Sequence, residues 1–181
     1  MWSIGSSLKG IIYRKEGKMK PGKKTGELMN VQVTQEFLAA YKYFGMAAYF
    51  DSQSLQGFAH WMKVQAKEEL SHAMKFYGHL HDRGSTVSLG SIEKQETNFA
   101  SALAAVQEAL AHEQRVTILI NAIAEASEQE KDYPSRNFIG WFIAEQVEEE
   151  SSAYLLIEQV KMVGESKPSL LMLDRKLAKR E

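Results

Sequence analysis

The sequence predicts an all-α protein, a four-helix bundle with one long crossover connection and a short fifth helix at the C-terminal end. The first observation is that apolar residues recur with the helical period over segments of roughly 25–30 residues. The second is that none of the three prolines lies between residues 22 and 133, so long helices can form without a break. The third is that two of the connections between the long segments are short and one is long.

Five helices are predicted, at about residues 26–53, 56–83, 97–129, 134–163 and 168–179. Each carries an apolar stripe at the spacing that faces one side of a helix. The stripe of the first helix runs from Val33 to Ala47, and that of the second helix runs from Phe58 to Leu80. Both stripes are long enough to cover a full bundle helix.

The remaining three helices show the same pattern. The stripe of the third helix runs from Leu103 to Ala124, and that of the fourth helix runs from Phe138 to Val160. The short fifth helix carries four leucines: Leu170, Leu171, Leu173 and Leu177. The fifth helix follows Pro168, a residue that is well tolerated in the first turn of a helix.

The connections between these helices indicate the topology. Residues 51–56 and 130–135 form short polar turns, which place the flanking helices antiparallel. Residues 84–98 contain two glycines and show no helical period. Such a stretch can extend over roughly 45–50 Å, about the length of a 30-residue helix, so it can run along the whole bundle. Another all-α arrangement of five helices remains open at this point.

The composition is that of a globular protein, with 181 residues, 44% hydrophobic and 25% charged. The absence of cysteine excludes disulfides, iron–sulfur clusters, thiol catalysis and cysteine-bound zinc. The apolar runs are too short to cross a membrane, and the first residues lack the pattern of a signal peptide. We therefore expect a soluble cytoplasmic protein with no membrane partner.

Charge is distributed unevenly along the chain. Residues 1–26 contain seven basic residues and one acidic residue, a net charge of +6; the whole chain carries −1, so residues 27–181 carry −7. The predicted organisation is a basic N-terminal extension over residues 1–26 followed by one domain over residues 27–181. An acidic domain suits cations and makes nucleic acid an unlikely partner.

Charged side chains interrupt the apolar stripe of every long helix. Glu36 lies in the first stripe, Glu69 and His72 lie in the second, Glu113 lies in the third and Glu149 lies in the fourth. Four carboxylates inside one bundle would repel one another and lose hydration, which is unfavourable by several kcal/mol per group. Because no lysine or arginine lies near them in these stripes, bound metal cations are the simplest compensation.

The four glutamates also lie at matching depths in the bundle. Each is about 13–18 residues from the turns at one end, which corresponds to roughly 20–27 Å along the helix. Glu69 and His72 are three residues apart, so they share one helix face. Oxygen donors with a single imidazole favour iron or manganese, with zinc as a competitor.

Three stretches of sequence carry a resemblance to a known family. They are GFAHWMKVQAKEELSHAMKFY at 57–77, AHEQRVT at 111–117 and DYPSRNFIGWFIAEQVEEE at 132–150. At these residues the chain resembles a non-haem ferritin of the bacterial and archaeal type, and the resemblance extends over about residues 28–181. It implies a ferritin-like fold with a di-iron ferroxidase centre in each subunit.

The resemblance also implies which residues bind iron. Glu36, Glu69 and His72 would hold one iron, and Glu69, Glu113 and Glu149 would hold the other, with Glu69 bridging the two. A third iron site is implied nearby, formed by Glu68, Glu145 and Glu148 and sharing Glu149. Gln146 would lie beside the second iron, and Tyr43 would hydrogen-bond to the centre or donate an electron.

The chain departs from the family pattern at several positions. Leu38 stands where many relatives have tyrosine, and the crossover lacks the common proline pair. The fourth helix has glutamine, Gln146, three residues before Glu149 rather than a second Glu-x-x-His motif, which argues against the bacterioferritin and ribonucleotide-reductase-like sites. Leu70 occupies the position of the haem-binding methionine of bacterioferritins, so we expect no haem.

The implied function is iron storage. The protein would oxidise Fe(II) to Fe(III) with dioxygen or hydrogen peroxide, and keep the product as a ferric mineral inside a hollow homo-oligomer. The resemblance implies 24 subunits. The leucine stripe of the fifth helix, which has little of its own chain to cover it, also indicates assembly.

Two alternatives remain at this stage. A small-cage DNA-protecting relative of ferritin would use the basic extension on DNA and place its irons between subunits, so it would not need ligands on all four helices. A structural, inactive bundle would bind no metal with its acidic residues.

Overall fold

The structure, a computed structural model, describes residues 20–164 and 166–180 of the chain. These residues form five α-helices and no strand: α1 (Lys23–Ser52), α2 (Gln56–Asp82), α3 (Ala102–Gln129), α4 (Tyr133–Val163) and α5 (Lys167–Leu177). Helix α1 packs along α2 and α3 packs along α4, while α5 contacts α2 and α4. The predicted four-helix bundle with a short fifth helix is confirmed. None of the helices described is long and apolar enough to cross a membrane.

Helix α1 begins three residues earlier than predicted because the turn between α3 and α4 caps its N-terminus. The carboxylate of Glu130 accepts hydrogen bonds from the backbone N–H groups of Lys24 and Thr25, each at 2.9 Å. Asp132 accepts a further hydrogen bond from the backbone N–H of Gly22 at 3.0 Å. These carboxylates satisfy donors that the first turn of a helix leaves without partners.

Helix α3 begins five residues later than predicted. Ser101 has an extended backbone, and its hydroxyl oxygen accepts a hydrogen bond from the backbone N–H of Ala104 at 3.1 Å, so it forms the N-cap. The carboxylate of Glu96 accepts hydrogen bonds from the backbone N–H groups of Thr97 at 2.8 Å and Asn98 at 2.7 Å. This local bonding competes with helix formation and delays the start of α3.

The long crossover runs along the outside of α1. The backbone N–H of Ser88 donates to Oδ1 of Asn30 at 2.7 Å. Further along, the carbonyl of Glu96 passes so close to Gly45 that a Cβ at that position would lie 2.5 Å from it. Asn30 and Gly45 lie about 22 Å apart along the helix axis, so the crossover connects the two ends of the bundle as predicted.

Two apolar clusters fill the bundle, one towards each end. One contains Phe50, Phe58 and Trp61 and is covered by leucines of α5. The other contains Phe76 and Phe142. Along every long helix, the glutamate of the apolar stripe lies between the residues of these two clusters. The fold therefore places the acidic residues in one layer across the middle of the core.

Candidate metal centre

A buried polar layer crosses the middle of the bundle. It consists of one glutamate from each long helix and one histidine from α2: Glu36, Glu69, His72, Glu113 and Glu149. Their exposed fractions are all 7% or less. No lysine or arginine among the described residues forms an ion pair with any of the four glutamates. Burial of ionised carboxylates is unfavourable unless they take up protons or cations, which makes the layer a candidate metal centre.

The first predicted ligand set converges in the structure. Glu36, Glu69 and His72 each offer a ligand atom within 4.8 Å of the other two. Nδ1 of His72 lies 3.3 Å from Oε2 of Glu69. The His72 ring packs against Trp141 and Phe142, with ring centroids 5.5 Å and 5.7 Å away. Two carboxylates and an oriented imidazole at this separation can close on one divalent cation.

The ligand atoms of the second predicted set lie farther apart than those of the first. Within residues 20–164 and 166–180, the ligand atoms of Glu69, Glu113 and Glu149 do not all lie within 4.8 Å of one another, and the second cluster at that distance consists of His72, Glu145 and Glu149. Glu113 and Glu149 each accept a hydrogen bond from a neutral side chain, Tyr43 and Gln65 respectively. Each bond holds one oxygen of the carboxylate.

Glu113 is held by Tyr43 and Gln146. The Tyr43 hydroxyl donates to Oε1 of Glu113 at 2.5 Å. Nε2 of Gln146 donates to the backbone carbonyl of Glu113 at 3.2 Å and lies 3.5 Å from Oε2. Gln146 also donates to the hydroxyl of Thr117, which in turn donates to Glu150. Tyr43 and Gln146 therefore both contact this carboxylate, and the contact of Gln146 extends through Thr117 to the α4 surface.

Two buried glutamines contact the layer and were missed by the sequence analysis. Nε2 of Gln32 donates to Glu36 at 2.9 Å, and Nε2 of Gln65 donates to Glu149 at 2.7 Å. Each glutamine lies four residues before a layer glutamate, Glu36 or Glu69, and this helix-face spacing is the signal that could have found them. Oε1 of each glutamine and Oε2 of Glu36 are buried without a hydrogen-bond partner in the described part of the chain. Such oxygens are ready acceptors for a cation or its bound water.

Burial raises the pKa of every glutamate in the layer. The pKa values of Glu36 and Glu69 lie well above the ordinary value, first because of burial and then because of neighbouring carboxylates. Burial raises the pKa of Glu113 to about 7, although the hydrogen bond from Tyr43 lowers it. Burial and the charge of Glu113 raise the pKa of Glu149 to about 7. Because a bound cation favours the ionised carboxylates, metal binding would release protons from this layer.

The residues predicted for a third iron site lie at the edge of the layer. Oε1 of Glu145 lies 4.0 Å from Nε2 of His72, and Glu145 is partly buried. Glu148 is exposed. Glu68 forms an ion pair with Arg180, with the guanidinium nitrogen 2.9 Å from Oε2. Of these three glutamates, only Glu145 belongs to a cluster with the buried layer in the described structure.

Fold and layer together define a class of protein, a four-helix bundle that carries a centre of carboxylates and histidine between its helices. The family described as Ferritin-like domain matches residues 26–163. The chain belongs to this ferritin family.

Individual relatives agree with this assignment. The bacterial non-heme ferritin of Staphylococcus haemolyticus is 38% identical over 154 residues, which cover 85% of this chain and 93% of that protein. The bacterial non-heme ferritin of Staphylococcus aureus strain USA300 is 36% identical over 154 residues, with the same coverage. The open pore ferritin of the hyperthermophilic archaeon Archaeoglobus fulgidus superimposes with a TM-score of 0.86 at 43% identity, covering 88% of this chain and 99% of that chain.

Family membership supports iron as the ligand of the centre and iron storage as the class of function. The small-cage DNA-protecting alternative is not favoured. The relatives are named as non-heme ferritins, and a single chain contributes a buried glutamate from each of its four long helices.

Proposed function

We propose that this protein is a ferroxidase that oxidises Fe(II) to Fe(III) and stores the product as a ferric mineral inside a homo-oligomeric cage. The observation that carries the proposal is the buried layer of four glutamates and His72, in which no glutamate has a lysine or arginine partner among the described residues. Divalent cations would replace the missing positive charge. Family membership supports iron as that cation.

Two Fe(II) ions would bind within one subunit as substrate. Glu36, Glu69 and His72 would hold the first, since their ligand atoms already lie within 4.8 Å of one another. Glu69, Glu113 and Glu149 would hold the second, with Glu69 shared. This second set requires oxygens of Glu113 and Glu149 to come closer to Glu69 than they lie here, through rotation of side chains, while Tyr43 and Gln65 keep their hydrogen bonds to the two carboxylates.

A pair of irons suits a two-electron oxidant. Each Fe(II) gives up one electron, so a pair reduces one dioxygen molecule and two protons to hydrogen peroxide, or one hydrogen peroxide molecule and two protons to water. The carboxylate ligands stabilise the higher charge of Fe(III). Tyr43, whose hydroxyl is bonded to Glu113, would hold this ligand in place or supply a further electron. Gln146 would position Glu113 from the opposite side through its amide.

A third iron would bind at the edge of the layer, at Glu68, Glu145 and Glu148 together with Glu149. These residues lead from the buried layer towards solvent, because Glu145 is partly buried and Glu148 is exposed. This site would hold iron on its way between the di-iron centre and the mineral. Leu70 offers no donor atom for haem iron, so the protein would work without haem.

Storage requires assembly, for which α5 supplies a surface. Leu171 and Met172 are 47% and 75% exposed on this helix, which leaves apolar area for neighbouring subunits. We propose a cage of 24 subunits in the cytoplasm. Residues 27–181 would form the di-iron domain and residues 1–26 a basic extension, most of which, residues 1–19, lies outside the described residues.

The test is oxidation of stoichiometric Fe(II) by the purified, metal-free protein. Fe(II) is added without oxygen, dioxygen is then admitted, and both Fe(III) absorbance and oxygen consumption are recorded. The expected result is rapid oxidation that consumes one dioxygen for each pair of irons. Glu69→Ala should slow oxidation severely while size-exclusion chromatography still shows the assembled particle. Glu158→Ala, at an exposed ion pair of α4, is the matched control.

The outcomes separate the alternatives. Wild-type protein that neither takes up nor oxidises Fe(II) would leave the inactive structural bundle as the better description. Normal oxidation by Glu69→Ala would remove Glu69 from the mechanism. An assembled particle much smaller than a 24-subunit cage that also retards DNA in a gel-shift assay at modest salt would favour the DNA-protecting alternative.

A further inference from the structure

The end of the chain contacts a carboxylate at the edge of the metal centre. A guanidinium nitrogen of Arg180 lies 2.9 Å from Oε2 of Glu68. The same guanidinium stacks over the ring of Trp61, with its carbon 4.4 Å from the ring centroid. Trp61 and Glu68 are seven residues apart on α2, two helical turns along one face. Arg180 therefore bridges the apolar end of α2 and its acidic edge.

The docking of the C-terminal segment on α2 holds Arg180 in place. The backbone carbonyl of Arg180 lies 2.7 Å from Nε2 of His60. Six residues before Arg180, Oδ1 of Asp174 accepts a hydrogen bond from the backbone N–H of Phe58 at 2.9 Å. Two contacts through different parts of the chain therefore hold the C-terminal segment against the start of α2. The Arg180 side chain is only 24% exposed.

The Glu68 carboxylate cannot bind a guanidinium and a metal ion at full strength at the same time. Arg180 already neutralises this carboxylate, and a guanidinium binds carboxylates through directed, charge-assisted hydrogen bonds. A cation that uses Glu68 must displace Arg180 or share the carboxylate with a like charge, which repels it. The buried layer has no such competitor, because its glutamates form no ion pair with a lysine or arginine of the described residues.

We propose that Arg180 controls the occupancy of the third iron site. Its guanidinium binds the Glu68 carboxylate when that site is empty and competes with the incoming Fe(II). This inference rests on the proposed function of the centre and adds an internal competitor to it. The third Fe(II) is then the last to bind and the first to leave. Iron is directed to the di-iron centre first, and the edge site holds it only in passing.

The test measures Fe(II) binding to the assembled, metal-free protein without oxygen, by isothermal titration calorimetry. Arg180→Gln removes the charge and keeps the backbone contact to His60. We expect this variant to bind the third Fe(II) about two- to fivefold more tightly, the range for loss of a partly exposed ion pair, and the first two with unchanged affinity. Lys161→Gln removes a similar ion pair, at 2.8 Å from Glu158 on α4, and should change nothing.

A double-mutant cycle then isolates the contact. Glu68→Gln should weaken the third binding event, and adding Arg180→Gln to it should have no further effect. The proposal is overturned if Arg180→Gln leaves the third event unchanged, if Lys161→Gln strengthens it equally, or if the effect persists without the Glu68 carboxylate. A third event seen only in Arg180→Gln supports the proposal, and one seen in no variant overturns it. Failure of the first two binding events would instead count against the proposed function.

Discussion

The hydroxyl of Tyr43 on α1 donates a 2.5 Å hydrogen bond to Oε1 of Glu113 on α3, deep inside the bundle. Both residues are 1% exposed. The bond joins two helices across the core and holds one carboxylate of the polar layer in a fixed orientation. In the proposed centre the second iron would share Glu113 with this hydrogen bond, so Tyr43 would couple the packing of the metal-free protein to metal binding.

Replacement of Tyr43 by phenylalanine tests this coupling. Loss of the hydroxyl leaves a buried carboxylate oxygen without its strongest donor, which destabilises the metal-free fold by about 1–3 kcal/mol. Because the variant also frees Glu113 to rotate, we expect Fe(II) oxidation to slow by roughly tenfold, the lower range for loss of a group that orients a metal ligand. Thermal unfolding and stopped-flow absorbance measure the two effects.

Tyr41→Phe is the control for this substitution, because Tyr41 lies on the same helix and is 50% exposed. It should leave both the melting temperature and the oxidation rate unchanged. If Tyr43→Phe and Tyr41→Phe behave alike in both assays, the hydrogen bond to Glu113 has neither of the roles assigned to it.

The buried carboxyls of Glu113 and Glu149 should make the metal-free protein less stable as the pH rises from about 4.5 to about 7. Burial raises the pKa of Glu113 and of Glu149 from 4.5 to about 7. A carboxyl with a raised pKa in the folded state contributes stability below its unfolded pKa, and that contribution is lost as the pH passes through the folded value. The loss is on the order of 3 kcal/mol for each group. Denaturant unfolding at a series of pH values measures it.

Two comparisons make this pH dependence specific. Glu113→Gln should flatten the decline, since the substituted amide does not ionise. Saturating Fe(II) without oxygen should also flatten it, because the cation stabilises the ionised carboxylates. Burial lowers the pKa of His112 to about 4, so this residue adds stability as the pH rises through the same window. The contribution of the layer is therefore the difference between wild type and Glu113→Gln, and a wild type that loses no more stability than this variant between pH 5 and 7 would contradict the prediction.

The sequence was sufficient to predict the all-α bundle and the depth of the acidic residues. Both follow from local spacing: apolar residues at the helical period place a stripe inwards, and Glu36, Glu69, Glu113 and Glu149 lie in phase with those stripes. The structure buries all four. The same reasoning overestimated the core at Phe44, which is 42% exposed, because periodicity alone does not say how wide the buried face is. The expectation that little of the chain covers the leucines of α5 was wrong for three of the four: Leu170, Leu173 and Leu177 are buried in the core, and Leu171 is 47% exposed.

What could not be predicted depends on residues far apart in the chain. Glu130 caps the start of α1 across 105 or more residues, so no local signal marks where that helix begins. The hydrogen bond from Gln65 to Glu149 spans 84 residues, and it sets the orientation of a carboxylate that the sequence analysis placed only by depth. The contact of Arg180 with Glu68 spans 112 residues. Side-chain orientation in the centre is therefore a property of the packed fold.

Gln65→Leu should weaken metal binding without disturbing the fold. Gln65 is fully buried, and its amide is 2.7 Å from Oε2 of Glu149. Leucine has a similar size but offers no donor, so Glu149 loses the hydrogen bond that lowers its pKa. Loss of a group that orients a ligand typically reduces metal affinity by about 10- to 100-fold. Anaerobic Fe(II) titration measures the affinity.

Gln129→Leu is the matched control for this experiment. Gln129 is exposed and donates to Glu125, four residues earlier on α3, at 3.0 Å. The same chemical change far from the polar layer should leave Fe(II) affinity at its wild-type value. Equal affinities for wild type and Gln65→Leu would show that the amide does not support Glu149 as a ligand.

Gly57→Ala should undock α5 from the start of α2. A Cβ at Gly57 would lie 1.8 Å from the backbone carbonyl oxygen of Asp174 and 2.6 Å from its carbonyl carbon. Neither backbone atom can move aside easily, because Asp174 is also bonded to the backbone N–H of Phe58. Overpacking of this kind destabilises the fold by about 1–3 kcal/mol.

Gly78→Ala on the same helix is the control. A Cβ at Gly78 meets no atom within 4 Å, so this variant should instead stabilise α2 by about 0.5–1 kcal/mol. Thermal unfolding and analytical ultracentrifugation measure the stability and the assembly of both variants. Gly57→Ala should melt at a lower temperature and no longer form the assembled particle. If Gly57→Ala assembles and melts like Gly78→Ala, the docking of α5 does not depend on this close approach.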